Sequence, residues 1–423
     1  MHVASENAHL MWNPDDPSTY LIRSSMHHFR PHQPNWGFRK FSLMTDLAQR
    51  LGYSSHSSIP EIGIVNLTVY LRTPRVQDIY LQYGNMRQPG RILVGLENKA
   101  KTGWLNVLLQ TYYHINAFRS MVYKIPTSYN ATADIVWALQ RTFHAMQISQ
   151  VPVSTDELIS AMGCRVGEAQ DAQDKALLIL YLLEKGMEAR EVGGNLKRLF
   201  EGQLCTYQYA LDSYQGSSRC EMFWDLSLNI RPYRSLAESL RDYIQPLGVE
   251  DSHLLGRGQR GTQVPTIDRF PPVLHLHLKR YEYNLKAPRF VKDDSLWEFP
   301  DEIDLAPFLS FSADKSEPSI YRLFAVITHE GNENGGVYYV YLRPTGDGPF
   351  VKFHDEQVTP ASSEEVFDTN FGEDYGDMYG ASKSAYILFY CRVSRLQELF
   401  GDITDADLPS SVGYWASSHR CRG

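Results

Sequence analysis

Residues 94–110 read VGLENKAKTGWLNVLLQ, and the character of this stretch changes at Thr102. Ahead of it, Gly95, Asn98 and three charged residues give no apolar period. Behind it, Leu105, Leu108, Leu109 and Tyr112 fall at i, i+3, i+4 and i+7, the spacing of one helix face. Thr102 sits where a side-chain oxygen is needed to meet the first free backbone N–H groups, and is the expected N-cap. The helical pattern predicts a helix running on to residue 122.

Downstream, similar periodicity predicts helices over 133–147, 155–162 and 172–185, the last carrying the apolar run ALLILYLL at 176–183. After Gly202 the period changes to two. Leu274, Leu276 and Leu278 alternate with His275, His277 and Lys279, and 338–342 and 386–391 are compact β-type runs. Helices first and strands later predict an α+β fold, not a parallel βαβ one. Upstream, residues 1–86 are rich in short polar turns and hold one strand, in which Val65, Leu67, Val69 and Leu71 alternate with polar neighbours or Tyr70. Arg87-Gln88-Pro89-Gly90 reads as a linker, which places a domain boundary there.

Length and charge narrow the function. With 423 residues, two to three domains are expected. The net charge of −8 comes without a run of basic residues, so no nucleic-acid partner is indicated. The eight residues of ALLILYLL fall far short of the roughly 20 that cross a bilayer, so no membrane partner is indicated either. The first residues hold no apolar secretory core, so a soluble chain of the nucleus and/or cytoplasm is expected. The five cysteines lack any C-x-x-C pair, which argues against a disulfide framework and against a cysteine zinc site. Cys164 and Cys205 are expected to be small buried hydrophobes. His275-x-His277 is expected to be the non-core face of a strand, not a metal pair, and neither metal nor cofactor is expected.

Several boxes together resemble those of the ubiquitin-specific proteases. Val94, Gly95, Leu96, Asn98, Thr102, Asn106, Leu109 and Gln110 match the family's V-G-L-x-N-x-G-x-T-C-Y-x-N-x-x-L-Q box in one register. AQDAQD at 169–174 resembles Q-H-D-V-Q-E, and Leu199-Phe200-x-Gly202 resembles L-F-x-G. PPVLHLHLKRYEY at 271–283, Phe299-Pro300 and THEGNENGGVYYVYL at 328–342 resemble the later boxes. NWGFRKF at 35–41 and VNLTVYLR at 65–72 resemble the end of a MATH (TRAF-like) domain, as in the branch typified by herpesvirus-associated ubiquitin-specific protease. The resemblance implies a papain-like fold over 92–398, with a helical thumb and a β-rich palm and fingers. It further implies a truncated MATH/TRAF-like β segment at 1–86 and a tail at 399–423, where Tyr414 and Trp415 are candidate anchors.

The resemblance also assigns the site. Family catalysis joins a thiolate at a helix N-terminus to a histidine and an orienting carboxylate. Those positions are Gly103, Val337 and His354 here, while Asn98 matches the oxyanion-hole asparagine. A pseudo-deubiquitinase is therefore expected, a binding or scaffold subunit with ubiquitin or another protein in the former substrate cleft. The alternative is an active hydrolase with an unrecognised nucleophile, for which Thr102 beside His354 is the candidate pair. The resemblance places Asp171 and Asp174, on one helix face, with Tyr283, Gly335 and Gly336 against the ubiquitin tail. His329 is expected to be a hydrogen-bonding loop residue.

Overall fold

The computed structural model describes residues 2–11, 21–29 and 66–69, and residues 93–408 with gaps at 100, 128–133, 166, 169, 211–215, 251–259, 285–288, 333–334, 373–382 and 405–406. The chain divides after Arg91 into two units. In the first, β1 (His2–Met11) lies between β2 (Leu21–Phe29) and β3 (Asn66–Val69), antiparallel to both. Strand β3 falls within the predicted strand. The NWGFRKF element, and with it the MATH-like reading, lies outside the described residues, as do Tyr414 and Trp415.

The second unit begins with helices and continues with strands. The helices are α1 (Gly103–His114), α2 (Asn116–Lys124), α3 (Ile135–Ile148), α4 (Asp156–Ala161), α5 (Ala172–Glu188) and α6 (Asn195–Phe200). The strands that follow are β4 (Gly202–Ala210), β5 (Gly216–Phe223) and β6 (Leu226–Asn229). After α7 (Leu236–Tyr243) come β7 (Leu247–Glu250), β8 (Arg260–Arg269), β9 (Val273–Lys279), β10 (Tyr281–Asn284), β11 (Arg289–Lys292) and β12 (Glu302–Asp304). The chain closes through β13 (Ile320–Asn332), β14 (Gly335–Leu342), β15 (Val351–His354), β16 (Gln357–Pro360), α8 (Ser363–Asp368), β17 (Lys383–Arg392) and α9 (Leu396–Phe400). The main sheet has the order β16-β15-β14-β13-β17-β9-β6, with β12 on β13, and only β6 joins its neighbour in parallel. A separate sheet has the order β5-β4-β8-β7. No described helix is long and apolar enough to cross a membrane.

The helix predicted over 102–122 is two helices, because the backbone turns extended at Ile115. Its first half is more deeply placed than one apolar face implies. All twelve residues of α1 are buried, since the helix lies between β14 and β15 on one side and α2 and α5 on the other. Buried polar groups must find partners inside. Gln110 Nε2 donates to the Val94 carbonyl at 2.8 Å and Thr111 Oγ1 to the Val107 carbonyl at 2.7 Å.

The same covering layer corrects the reading of β9. Its histidine face is closed at His275 and partly covered at His277, opening to solvent only at Lys279. His275 is fully buried and stacks on Phe389 at 4.6 Å, and burial lowers its pKa to about 3. His277 pairs with Ser227 Oγ at 3.0 Å. At the far end, α9 crosses the boundary expected at 398. Asn116 Nδ2 donates to the carbonyls of Phe400 and Gly401, so the folded unit continues past that boundary.

Candidate functional site

The site is built where the loop 94–102 enters α1. Leu96 N donates to the Asp355 carbonyl at 2.9 Å, tying the loop to the turn between β15 and β16. Gly95 is required by this approach, because a Cβ there would collide with the Glu356 backbone. Asn98 is engaged on every polar atom of its side chain. Its Nδ2 donates to Asp355 Oδ2 at 2.8 Å, and its Oδ1 accepts from Thr102 N at 3.0 Å and Thr102 Oγ1 at 3.2 Å. Asn106, one turn into α1, donates to Asp355 Oδ1 at 2.8 Å.

Asp355 is thus the hub of the site. It takes a φ of 53° in a two-residue turn, a left-handed conformation that aspartate tolerates better than most residues. Sequence reading passed over it in favour of His354. The available signal was the pair of asparagines, Asn98 and Asn106, whose amides at the head of a buried helix call for an acceptor. Thr102 also differs from expectation. It occupies the cap position, but its hydroxyl makes no capping bond and turns back to Asn98 and the Glu97 carbonyl.

Of the three positions assigned to a triad, Gly103 and His354 lie on segments that this hub joins, and Val337 lies on the neighbouring strand β14. A Cβ at Gly103 would stand 3.6 Å from Asp355 Oδ1, 3.7 Å from Asn98 Nδ2 and 3.7 Å from the Tyr338 carbonyl, all ordinary contacts. Gly103 therefore adjoins the chain neighbours of both Val337 and His354. Val337 is 46% exposed on β14, and offers no donor or acceptor in its side chain. His354 ends β15 with its ring 5.4 Å from that of Tyr339 and its Nε2 3.9 Å from Asp355 Oδ2.

The residues assigned to a peptide tail form a second group. Asp171 does not share a helix face with Asp174, because it is the N-cap of α5. Its Oδ1 accepts from Gln173 N at 2.8 Å and Asp174 N at 3.1 Å, and its Oδ2 accepts from Tyr386 Oη at 2.7 Å. Burial, reinforced by the Asp171 charge, raises the Tyr386 hydroxyl far above the ordinary tyrosine range. Asp174 is exposed in the first turn. An aromatic cluster of Tyr386, Tyr338, Tyr281 and His329 leads from Asp171 to the hairpin of β13 and β14. There Gly336 is opposite Gly331, and a Cβ on Gly336 would strike the His329 ring at 2.6 Å from Nε2. Tyr283 is 51% exposed on β10 and packs on Phe290.

His329 lies in β13, not in a loop. Its Nδ1 shares a 3.0 Å hydrogen bond with Tyr281 Oη, and burial lowers its pKa to about 4. The cysteine reading also needs correction. Cys205 and Cys220, fifteen residues apart, are joined in a disulfide across β4 and β5. Linear spacing hides such a pair, because hairpin register is what brings the two residues opposite each other.

The model of the ubiquitin carboxyl-terminal hydrolase family matches residues 94–390. The chain is 33% identical over 423 residues to ubiquitin carboxyl-terminal hydrolase 15 of Schizosaccharomyces pombe, covering 95% of this chain and 37% of that protein. It is 31% identical over 430 residues to ubiquitin carboxyl-terminal hydrolase 15 of Saccharomyces cerevisiae, covering 93% and 35%. It is 33% identical over 329 residues to ubiquitin carboxyl-terminal hydrolase 7 of Drosophila melanogaster, covering 75% and 29%. The chain thus spans between 29% and 37% of the length of these relatives. The extent of the family match, over the same helices and strands that meet at Asp355, makes this chain a member of the ubiquitin carboxyl-terminal hydrolase family.

Proposed function

We propose that this chain is a catalytically inactive member of its family, a pseudo-deubiquitinase that holds ubiquitin in the former substrate cleft and acts as a binding or scaffold subunit. The observation that carries this reading is Gly103 at the head of α1. The position has ordinary room for a side chain, yet supplies no nucleophile. Val337 brings no base, and the Asn98 amide is already bonded to Asp355. Thr102, the candidate substitute, is 3% exposed and spends its hydroxyl on Asn98 and Glu97. A buried hydroxyl bonded to an amide oxygen and a backbone carbonyl, and not to a base, is a poor nucleophile. The N-terminal segment belongs to this reading as a MATH-like module.

Ubiquitin is favoured as the occupant by the family's relatives, which are named as ubiquitin hydrolases. Asp174, exposed in the first turn of α5, is the carboxylate that this reading sets against a basic tail. Two measurements test the proposal. The purified chain should neither cleave a ubiquitin-fluorophore substrate nor label with an electrophilic ubiquitin probe. Labelled ubiquitin should bind weakly and less tightly at high salt, and Asp174→Asn should cost on the order of 1–3 kcal/mol, the scale of a hydrogen bond to a charged group. Turnover lost in a Thr102→Ala variant would overturn inactivity. Absence of any ubiquitin binding would leave a scaffold with a different partner.

A further inference from the structure

The sheet β5-β4-β8-β7 brings three potential ligands together away from the site just described. Cys205 on β4 stands directly opposite Cys220 on β5, with Cα atoms 4.0 Å apart. On its other side Cys205 stands opposite Thr266 of β8. The register then slips: Leu204 pairs with Ile267, but Gln203 pairs with Arg269. Asp268 is therefore an extra residue with no partner on β4. A bulge of this kind re-aims the side chain it carries. Here the Asp268 carboxylate comes within 4.8 Å of both cysteine sulfurs. Thr266 Oγ1 donates to Asp268 Oδ1 at 3.2 Å, fixing the carboxylate on that side.

We propose that Cys205, Cys220 and Asp268 form, once the disulfide is reduced, a site for one soft divalent cation of the zinc class. Water supplies the remaining position. A tetrahedral ion with metal–sulfur bonds of about 2.3 Å holds its two sulfurs about 3.8 Å apart. A directly opposed cross-strand pair reaches that separation by side-chain rotation, without moving either strand. Two thiolates and a carboxylate match the ligand preference of such an ion. Cys205 is buried while Cys220 is exposed, so the ion has a closed side and an open one.

The disulfide and the metal exclude each other. A low-molecular-weight thiol reductant supplies two electrons, its sulfurs end as its own disulfide, and the Cys205–Cys220 bond is replaced by two thiols. Metal binding then releases the two thiol protons. The oxidised state joins β4 to β5, whereas the metal-bound state also gathers β8.

Cobalt(II) is the probe, added to the full chain after reduction and removal of the reductant. The reduced protein should bind one ion with a thiolate-to-cobalt charge-transfer band, and zinc should displace it. The oxidised protein should show no band. Cys220→Ser, at an exposed position that leaves the core intact, should remove about half the band intensity, as expected when one of two thiolates is lost. Asp268→Asn should keep the band and weaken binding by about ten-fold or more. No band in the reduced protein, a band unaffected by Cys220→Ser, or unchanged affinity in Asp268→Asn would each overturn the assignment. Circular dichroism confirms that each variant is folded before it is scored.

Discussion

Restoring only the nucleophile, by Gly103→Cys, should produce a thiol that resists ionisation. A Cβ at this position lies 3.6 Å from Asp355 Oδ1, so a sulfur in a rotamer turned away from that oxygen stands about 4–5 Å from a carboxylate. At an effective dielectric of about 20, two like charges at that distance repel by about 3–4 kcal/mol. The helix N-terminus opposes this by only about 0.3–2 kcal/mol. Burial of the position acts in the same direction as the carboxylate. The net cost of about 1–4 kcal/mol raises the thiol by about one to three units above its ordinary value near 8.5. The assay is the ultraviolet absorbance of the thiolate against pH, taken as the difference between variant and parent chain so that the other cysteines cancel. Adding Val337→His places an imidazolium on the strand beside Tyr338, whose carbonyl is 3.7 Å from the Cβ position, and should bring the midpoint down. A midpoint at or below the ordinary value in Gly103→Cys alone would refute this account of the site's electrostatics.

Three further outcomes are expected. Asp355→Ala removes the acceptor of two 2.8 Å amide bonds and should cost about 3 kcal/mol in urea unfolding, whereas Gly103→Ala, with only ordinary contacts to make, should gain up to about 1 kcal/mol. Among the described residues His275 has no hydrogen-bond partner on either ring nitrogen, and its folded pKa of about 3 lies below the ordinary 6.5. The unfolded chain therefore takes up the proton first, so stability is intact above pH 6.5 and declines as the pH falls toward 3; His275→Phe should flatten that decline in a series of unfolding midpoints. Tyr386→Phe deletes the donor to Asp171 Oδ2 and should lower stability by about 1.5–3 kcal/mol, an effect that a merely exposed Asp171 would not show.

The parts of the fold that repeat a period were legible in the sequence. The 3.6-residue spacing after Thr102 and the alternation through Leu274, Leu276 and Leu278 give a helix and a strand where α1 and β9 lie. What the period could not show is how many sides are covered. Every residue of α1 is buried, and β9 buries His275 as well as its leucines, because each lies between two layers. Nor does linear spacing reveal Asp355, whose importance comes from meeting Asn98 and Asn106 across more than two hundred residues of chain. Cys205 and Cys220 are hidden for the same reason, since only register makes them opposite.

On the proposed reading, the framework bonds of the site also explain how a family fold can persist with glycine at position 103 and valine at 337. The loop is held by Leu96 to the Asp355 carbonyl, by Gln110 to the Val94 carbonyl, and by the amides of Asn98 and Asn106 to the Asp355 carboxylate. Gly95 permits the close approach on which those bonds depend. None of these bonds uses a side chain at Gly103, Val337 or His354. Side chains at those three positions therefore lie outside the bonds that hold the loop to the helix and to the β15–β16 turn. A nucleophile and base can be lost at little cost in stability, while Gly95, Asn98, Asn106, Gln110 and Asp355 are held in place by folding alone. Matches to the family at these framework positions consequently report the fold, and on the proposed reading the residue types at Gly103, Val337 and His354 are the ones that bear on chemistry.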